Sequence, residues 1–148
     1  MPAGATVLGT VLSSDKTNIS AMTGGRTAYP LLLSIANIHM NVRMKASHHS
    51  LPLVALLPCA KFLTKNKKSR SILHNRLIHH CLDIVCRPLK IAARFGRMMA
   101  DPLGYQRLCY TPLVSYIADM PEAMLLAGVG ASKTSHLTMV TYKQFGDS

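Results

Sequence analysis

ATVLGTVLSSD, residues 5–15, runs from a short β-branched apolar stretch straight into a carboxylate, in a chain that has few of them. Val7, Leu8, Val11 and Leu12 alternate with small residues around a central glycine. This pattern suits a buried strand over Ala5–Ser13 better than a helix, where mid-element glycine costs conformational entropy. If that strand exists, Asp15 stands just past its tip. The apolar segments that follow, Tyr29–Ile38 and Leu51–Leu57, lie close behind it, joined by a turn at Thr23–Arg26 (TGGR) and a polar basic connection at His39–Ser50. Such short links cannot carry a parallel crossover, so the three strands are expected as an antiparallel meander. Pro30 belongs at a strand start or an edge.

The period changes after residue 68. Ile72, Leu73, Leu77, Ile78, Cys81, Leu82 and Val85 recur at steps of three and four, which predicts an amphipathic helix. Ser69 is the expected N-cap and Pro88 the expected end or kink near Arg87, with helix resuming over Ile91–Met99 before a DPLG turn at Asp101–Gly104. Leu113–Ala118 (LVSYIA) reads as a further strand. Asp119, Pro121 and Glu122 then mark a helix start, where proline loses no hydrogen bond. Residues 128–148 show little periodicity and are expected to form an irregular tail, leaving 1–127 as the folded part. The fold class expected is α/β: meander, long helix, further strand.

The chain has 148 residues, and its 17 Lys and Arg against 6 Asp and Glu give a net charge of +11. That excess favours polyanionic partners through Coulomb attraction and counterion release. The longest apolar run, Leu51–Ala60, holds two prolines and is far shorter than the roughly 20 residues that span a bilayer. No basic amphipathic helix with aromatic anchors points to a membrane surface. With no secretory or mitochondrial leader pattern, a soluble intracellular protein is expected, and its four cysteines are expected as free thiols.

Six acidic residues are the whole stock for any metal-dependent mechanism. Asp83 is expected on the long helix, paired with Arg87 one turn on. Asp101 belongs to a turn and Asp147 to the tail. Asp15 and Asp119 each follow a strand-like segment, and if those strands are neighbours, their tips bring two carboxylates together. Hard oxygen donors of this kind suit Mg²⁺ or Mn²⁺. The other reading is structural: Asp15 caps a turn and Asp119 caps the next helix.

The segments GATVLGTVLSSDKTNIS, YPLLLSIANI, SLPLVALLP, RSILHNRLIHHCLDIVCRPL, YTPLVSYIADMPE and KTSHLTMVTYKQFGD, in this order, resemble the core of Plavaka-type transposases of mushroom-forming fungi, relatives of the Kyakuja, Dileera and Zisupton elements. The resemblance covers nearly the whole chain. It implies the first part of a ribonuclease H-like catalytic domain with Asp15 as first acid and Asp119 as second, Mg²⁺ or Mn²⁺ as cofactor, DNA as partner and the nucleus as location. It also implies a third acid beyond the QFGD segment, so the chain is expected to be a fragment unable to cleave and transfer DNA strands alone. Where many relatives are cysteine-rich after the second acid, this chain reads LLAGVGASKTSHLT, which puts a zinc-binding insertion in doubt.

Two basic clusters supply the contrasting reading, a non-catalytic module that binds nucleic acid. FLTKNKKSR places Lys65, Lys67, Lys68 and Arg70 ahead of the long helix, where they would contact phosphates without reading sequence. Arg87, Lys90, Arg94 and Arg97 form the second cluster, spaced to line one helical face. HHCLDIVC lacks the second half of a zinc site, so Cys81 and Cys86 are expected in the core. GVGASK lacks Walker spacing.

Overall fold

A computed structural model of the chain describes residues 1–20 and 26–129 and shows a mixed α/β fold. In chain order the elements are β1 (Thr6–Val7), β2 (Thr10–Ser14), β3 (Thr17–Asn18), β4 (Thr27–Ala28), β5 (Pro30–Ile35), α1 (Met40–Arg43), β6 (Leu53–Leu56), α2 (Lys67–Phe95), β7 (Arg97–Ala100), β8 (Gln106–Tyr110), β9 (Leu113–Ile117) and α3 (Met120–Ala127), with a 3₁₀ turn at Ala46–His48. The TGGR turn, except Arg26, and the expected tail, except Gly128 and Val129, lie outside the described residues.

The expected meander is present. β2, β5 and β6 are antiparallel neighbours in a sheet of order β6-β5-β2-β9. The strand expected over Ala5–Ser13 is broken in two because the chain changes its hydrogen-bonding partner at Gly9. β1 pairs with β8, whereas β2 pairs with β5 and β9. The Gly9 amide donates to Asn37 Oδ1 at 2.9 Å, and a Cβ here would stand 3.2 Å from the Val114 methyls. β7 and β8 form a hairpin that periodicity did not anticipate. Its turn is organised by Asp101, whose carboxylate accepts from the Leu103 and Tyr105 amides at 3.0 and 2.9 Å and pairs with Arg107 at 2.9 Å.

The long helix differs from expectation at both ends. Its N-cap is Asn66, not Ser69: the Asn66 side chain accepts from the Lys68 and Ser69 amides at 2.9 and 3.3 Å. Asparagine caps as well as serine, so the basic run joins the first turn. Pro88 does not end the helix. α2 continues for 29 residues to Phe95, since one absent amide removes a single hydrogen bond while burial on both sides of the proline persists, at Ile78 and Ala92. Met98 and Met99 lie beyond it in β7.

Ile78 packs with Leu12, Tyr29, Leu31 and Leu57, and Cys81, Leu82, Val85 and Cys86 extend the same helical face over the sheet. Both cysteines are free and partly buried against this core, as expected. Leu31 and Leu33 come from alternate positions of β5 and Leu12 from β2. The sheet therefore turns one pleated face to α2 and carries its loop edges, where Asp15 and Asp119 stand, beyond the helix-covered centre.

Candidate functional site

β2 and β9 are parallel, and their register ends at Ser13 opposite Ile117. Asp15 and Asp119 each lie two residues further on. Two carboxylates, 104 positions apart in the chain, thus stand at the same end of adjacent strands. Parallel pairing is what achieves this, since antiparallel neighbours would send the two tips in opposite directions.

Both aspartates also make local hydrogen bonds. Asp15 Oδ2 accepts from the Thr17 hydroxyl at 3.2 Å, and Asp119 is the N-cap of α3, accepting from the Glu122 amide at 2.9 Å through Oδ1. The structural reading of each is therefore present, and it leaves the other oxygen of each carboxylate unused by hydrogen bonds among the described residues. Both side chains belong to exposed residues. The donor set, two anionic oxygens on one sheet edge, fits a hard divalent cation. Among the described residues no group of three or more His, Cys, Asp or Glu is arranged to hold a metal ion.

Directly beneath the pair lies a polar cluster that sequence reasoning missed. Glu122 is only 7% exposed. Its Oε1 accepts from the Tyr29 hydroxyl at 2.6 Å and from the Ser14 hydroxyl, while Ser14 and Tyr116 share a hydrogen bond of 2.8 Å. Burial, together with the Glu122 carboxylate, drives the Tyr29 phenol far above its ordinary pKa, and burial likewise raises Tyr116. The signal available was Asp119-x-x-Glu122, the spacing of a capping box. Half of that motif forms, and the glutamate side chain turns into the interior.

The basic run divides. Lys67 and Arg70 join Lys61, Phe62 and His74 around a groove of about 560 Å³ at the start of α2. Lys65 and Lys68 are exposed outside its lining. The ion pairs among the described residues use Lys90 and Arg107, so the groove cations have no carboxylate partner there. His74 has its pKa lowered by burial and then by the charge of Lys16, the residue after Asp15. His74 lines the groove, so the charge of Lys16 adds to that of the groove cations.

Two expectations on α2 are corrected. Asp83 pairs with Lys90 at 2.5 Å instead of Arg87, and this hydrogen bond holds its carboxyl below the ordinary range. Of the second basic cluster, Arg87, Lys90 and Arg94 share one face of α2 at steps of three and four, and only Arg97 departs from it. Lys90 is engaged by Asp83, Arg94 lies over the Phe95 ring at 5.2 Å, and Arg97 is in β7.

Comparison with protein families gives a match to Plavaka transposase over residues 1–148. The chain belongs to the Plavaka transposase family. No curated protein and no solved structure matches it. A Plavaka-family chain is transposase-related, so its net charge of +11 is that of a protein whose partner is DNA. No helix among the described residues of this Plavaka-family chain is long and apolar enough to cross a membrane.

Proposed function

We propose that this Plavaka-family chain carries the first two metal-binding acids of a ribonuclease H-like transposase core, Asp15 and Asp119, and guides DNA to them along the basic groove at the start of α2. The observation that carries this reading is the parallel β2–β9 register that leaves both aspartates at one sheet edge. The three antiparallel strands, the long helix and, after the β7–β8 hairpin, a fourth strand of the same sheet that is followed by an acid support the same fold. Mg²⁺ or Mn²⁺ would be held by Asp15 and Asp119, and when bound would supply Lewis-acid stabilisation of phosphoryl oxygens. The chain's own residues hold the ion, and Lys61, Lys67 and Arg70 take phosphates near the edge. The setting for such work is the nucleus.

Among the described residues no third carboxylate joins Asp15 and Asp119 in a metal-holding group, so the site they form is a weak one. Titration with Mn²⁺ followed by electron paramagnetic resonance is expected to show binding that Asp15→Ala and Asp119→Ala each weaken by about tenfold. Equal Mn²⁺ affinity in the native chain and Asp15→Ala would remove the basis of the reading and leave a non-catalytic DNA-binding module. Supercoiled DNA should stay intact with Mg²⁺. Nicking that Asp119→Ala abolishes would show a complete catalytic centre.

The groove is checked by salt. Each phosphate contact adds about 0.9 to the slope of log affinity against log salt for duplex DNA, so Lys67→Ala with Arg70→Ala is expected to reduce that slope by about 2. An unchanged slope would place the DNA elsewhere.

A further inference from the structure

We propose that Glu122 is the positioning residue for the two aspartates: its buried carboxylate ties the first turn of α3 to the tip of β2 and so fixes how far Asp119 stands from Asp15. The role assigned to that spacing rests on the metal-binding reading above.

The argument follows the connections one residue at a time. Asp119 is fastened to Glu122, because its Oδ1 accepts the Glu122 amide at 2.9 Å. Glu122 in turn accepts from the hydroxyl of Ser14, the residue bonded directly to Asp15, and from Tyr29, which precedes β5. Tyr116 of β9 reaches the same Ser14 hydroxyl at 2.8 Å. The links from one aspartate to the other are therefore hydrogen bonds and covalent bonds, and α3, β2 and the segment before β5 meet at one carboxylate, with β9 joined to it through the Ser14 hydroxyl.

Burial gives the connection its stiffness. Ser14 is 3% exposed, Tyr29 4% and Glu122 7%, so water does not compete for these hydrogen bonds. Tyr29, with its phenol pKa raised, stays a donor across the physiological range. An apolar residue would fill the same space without fastening Ser14, and a buried carboxylate is costly to retain for packing alone. Groups that orient metal-binding carboxylates from behind commonly alter metal affinity without touching the ion.

The test uses the full chain, Mn²⁺ as the probe and two measurements. Glu122→Ala is expected to raise amide hydrogen exchange at residues 122 and 123 and to weaken Mn²⁺ binding, each about tenfold. Glu122→Gln, which keeps an acceptor oxygen at the same reach, is expected to restore both to near native values. Tyr29→Phe removes one donor while leaving α3 intact and is expected to produce a smaller loss in both, which keeps the test open even if the alanine variant fails to fold.

Native exchange and native Mn²⁺ affinity in Glu122→Ala, or in Tyr29→Phe should the alanine variant be unfolded, would overturn the proposal. A glutamine variant as weak as alanine would also overturn it, by assigning the effect to a charge acting on the ion directly. If the native chain binds no Mn²⁺, the metal reading fails while faster exchange in Glu122→Ala still upholds the tether.

Discussion

Ile78→Ala is expected to lower the stability of the chain by about 3 kcal/mol, within the range measured for truncating large buried aliphatic side chains. Ile78 is fully buried and joins α2 to Leu12, Tyr29, Leu31 and Leu57, residues drawn from β2, β5 and the segments beside β5 and β6. The loss combines the transfer of three carbons out of water with an unfilled space between a helix and a sheet, both of which resist collapse. Against a total stability of roughly 5–15 kcal/mol the change is large. Urea unfolding followed by circular dichroism should show a lower midpoint at unchanged slope. Ile78→Val should cost only about 1 kcal/mol. A loss below that value for alanine would mean that α2 docks by another face.

Gly96→Ala is expected to be comparably damaging for a different reason. Gly96 ends α2 with φ 72° and ψ 163°, a backbone region that is essentially closed to residues with a Cβ and strains them by about 1–3 kcal/mol. The added carbon would also meet Leu108 Cδ1 at 2.9 Å and Tyr110 Cζ at 3.0 Å. Pushing those side chains aside adds about 1–3 kcal/mol, so a total near 3 kcal/mol is expected in the same urea experiment. The position matters because the chain reverses here from α2 into the β7–β8 hairpin that leads to β9. An alanine variant of native stability would show that the helix end repacks freely.

How much of this was legible in the sequence depended on how local the deciding forces were. The meander, the core face of α2 and the β9–α3 junction follow from apolar spacing and cap chemistry, which act over a few residues. Asn66 displaced Ser69 because two good capping residues stand three apart and only packing chooses between them. Pro88 was read as an end or a kink with helix resuming at Ile91, whereas the burial of Ala92 beyond it carries one continuous helix on to Phe95. The β7–β8 hairpin escaped notice because Arg97–Ala100 and Gln106–Tyr110 do not alternate, and their pairing follows from the Asp101 turn.

The candidate site was legible in half. Asp15 and Asp119 stood out because each follows an apolar strand in an acid-poor chain, whereas their common edge required a parallel pairing that no local pattern encodes. Glu122 was hidden for the same reason. Its partners Ser14 and Tyr29 lie 108 and 93 residues away, and nothing near Glu122 announces them.

Parallel pairing of β2 with β9 also dictates when the two carboxylates come to one end of the sheet. The hydrogen bond between Ser14 and Tyr116 closes a span of 102 residues, whereas β2, β5 and β6 can pair across short loops. During synthesis Asp15 leaves the ribosome early and waits beside an open strand edge until β9 and α3 have emerged. The two acids are thus brought to one end of the sheet only when β9 docks on β2, and a nascent chain stopped before that strand holds only one of them.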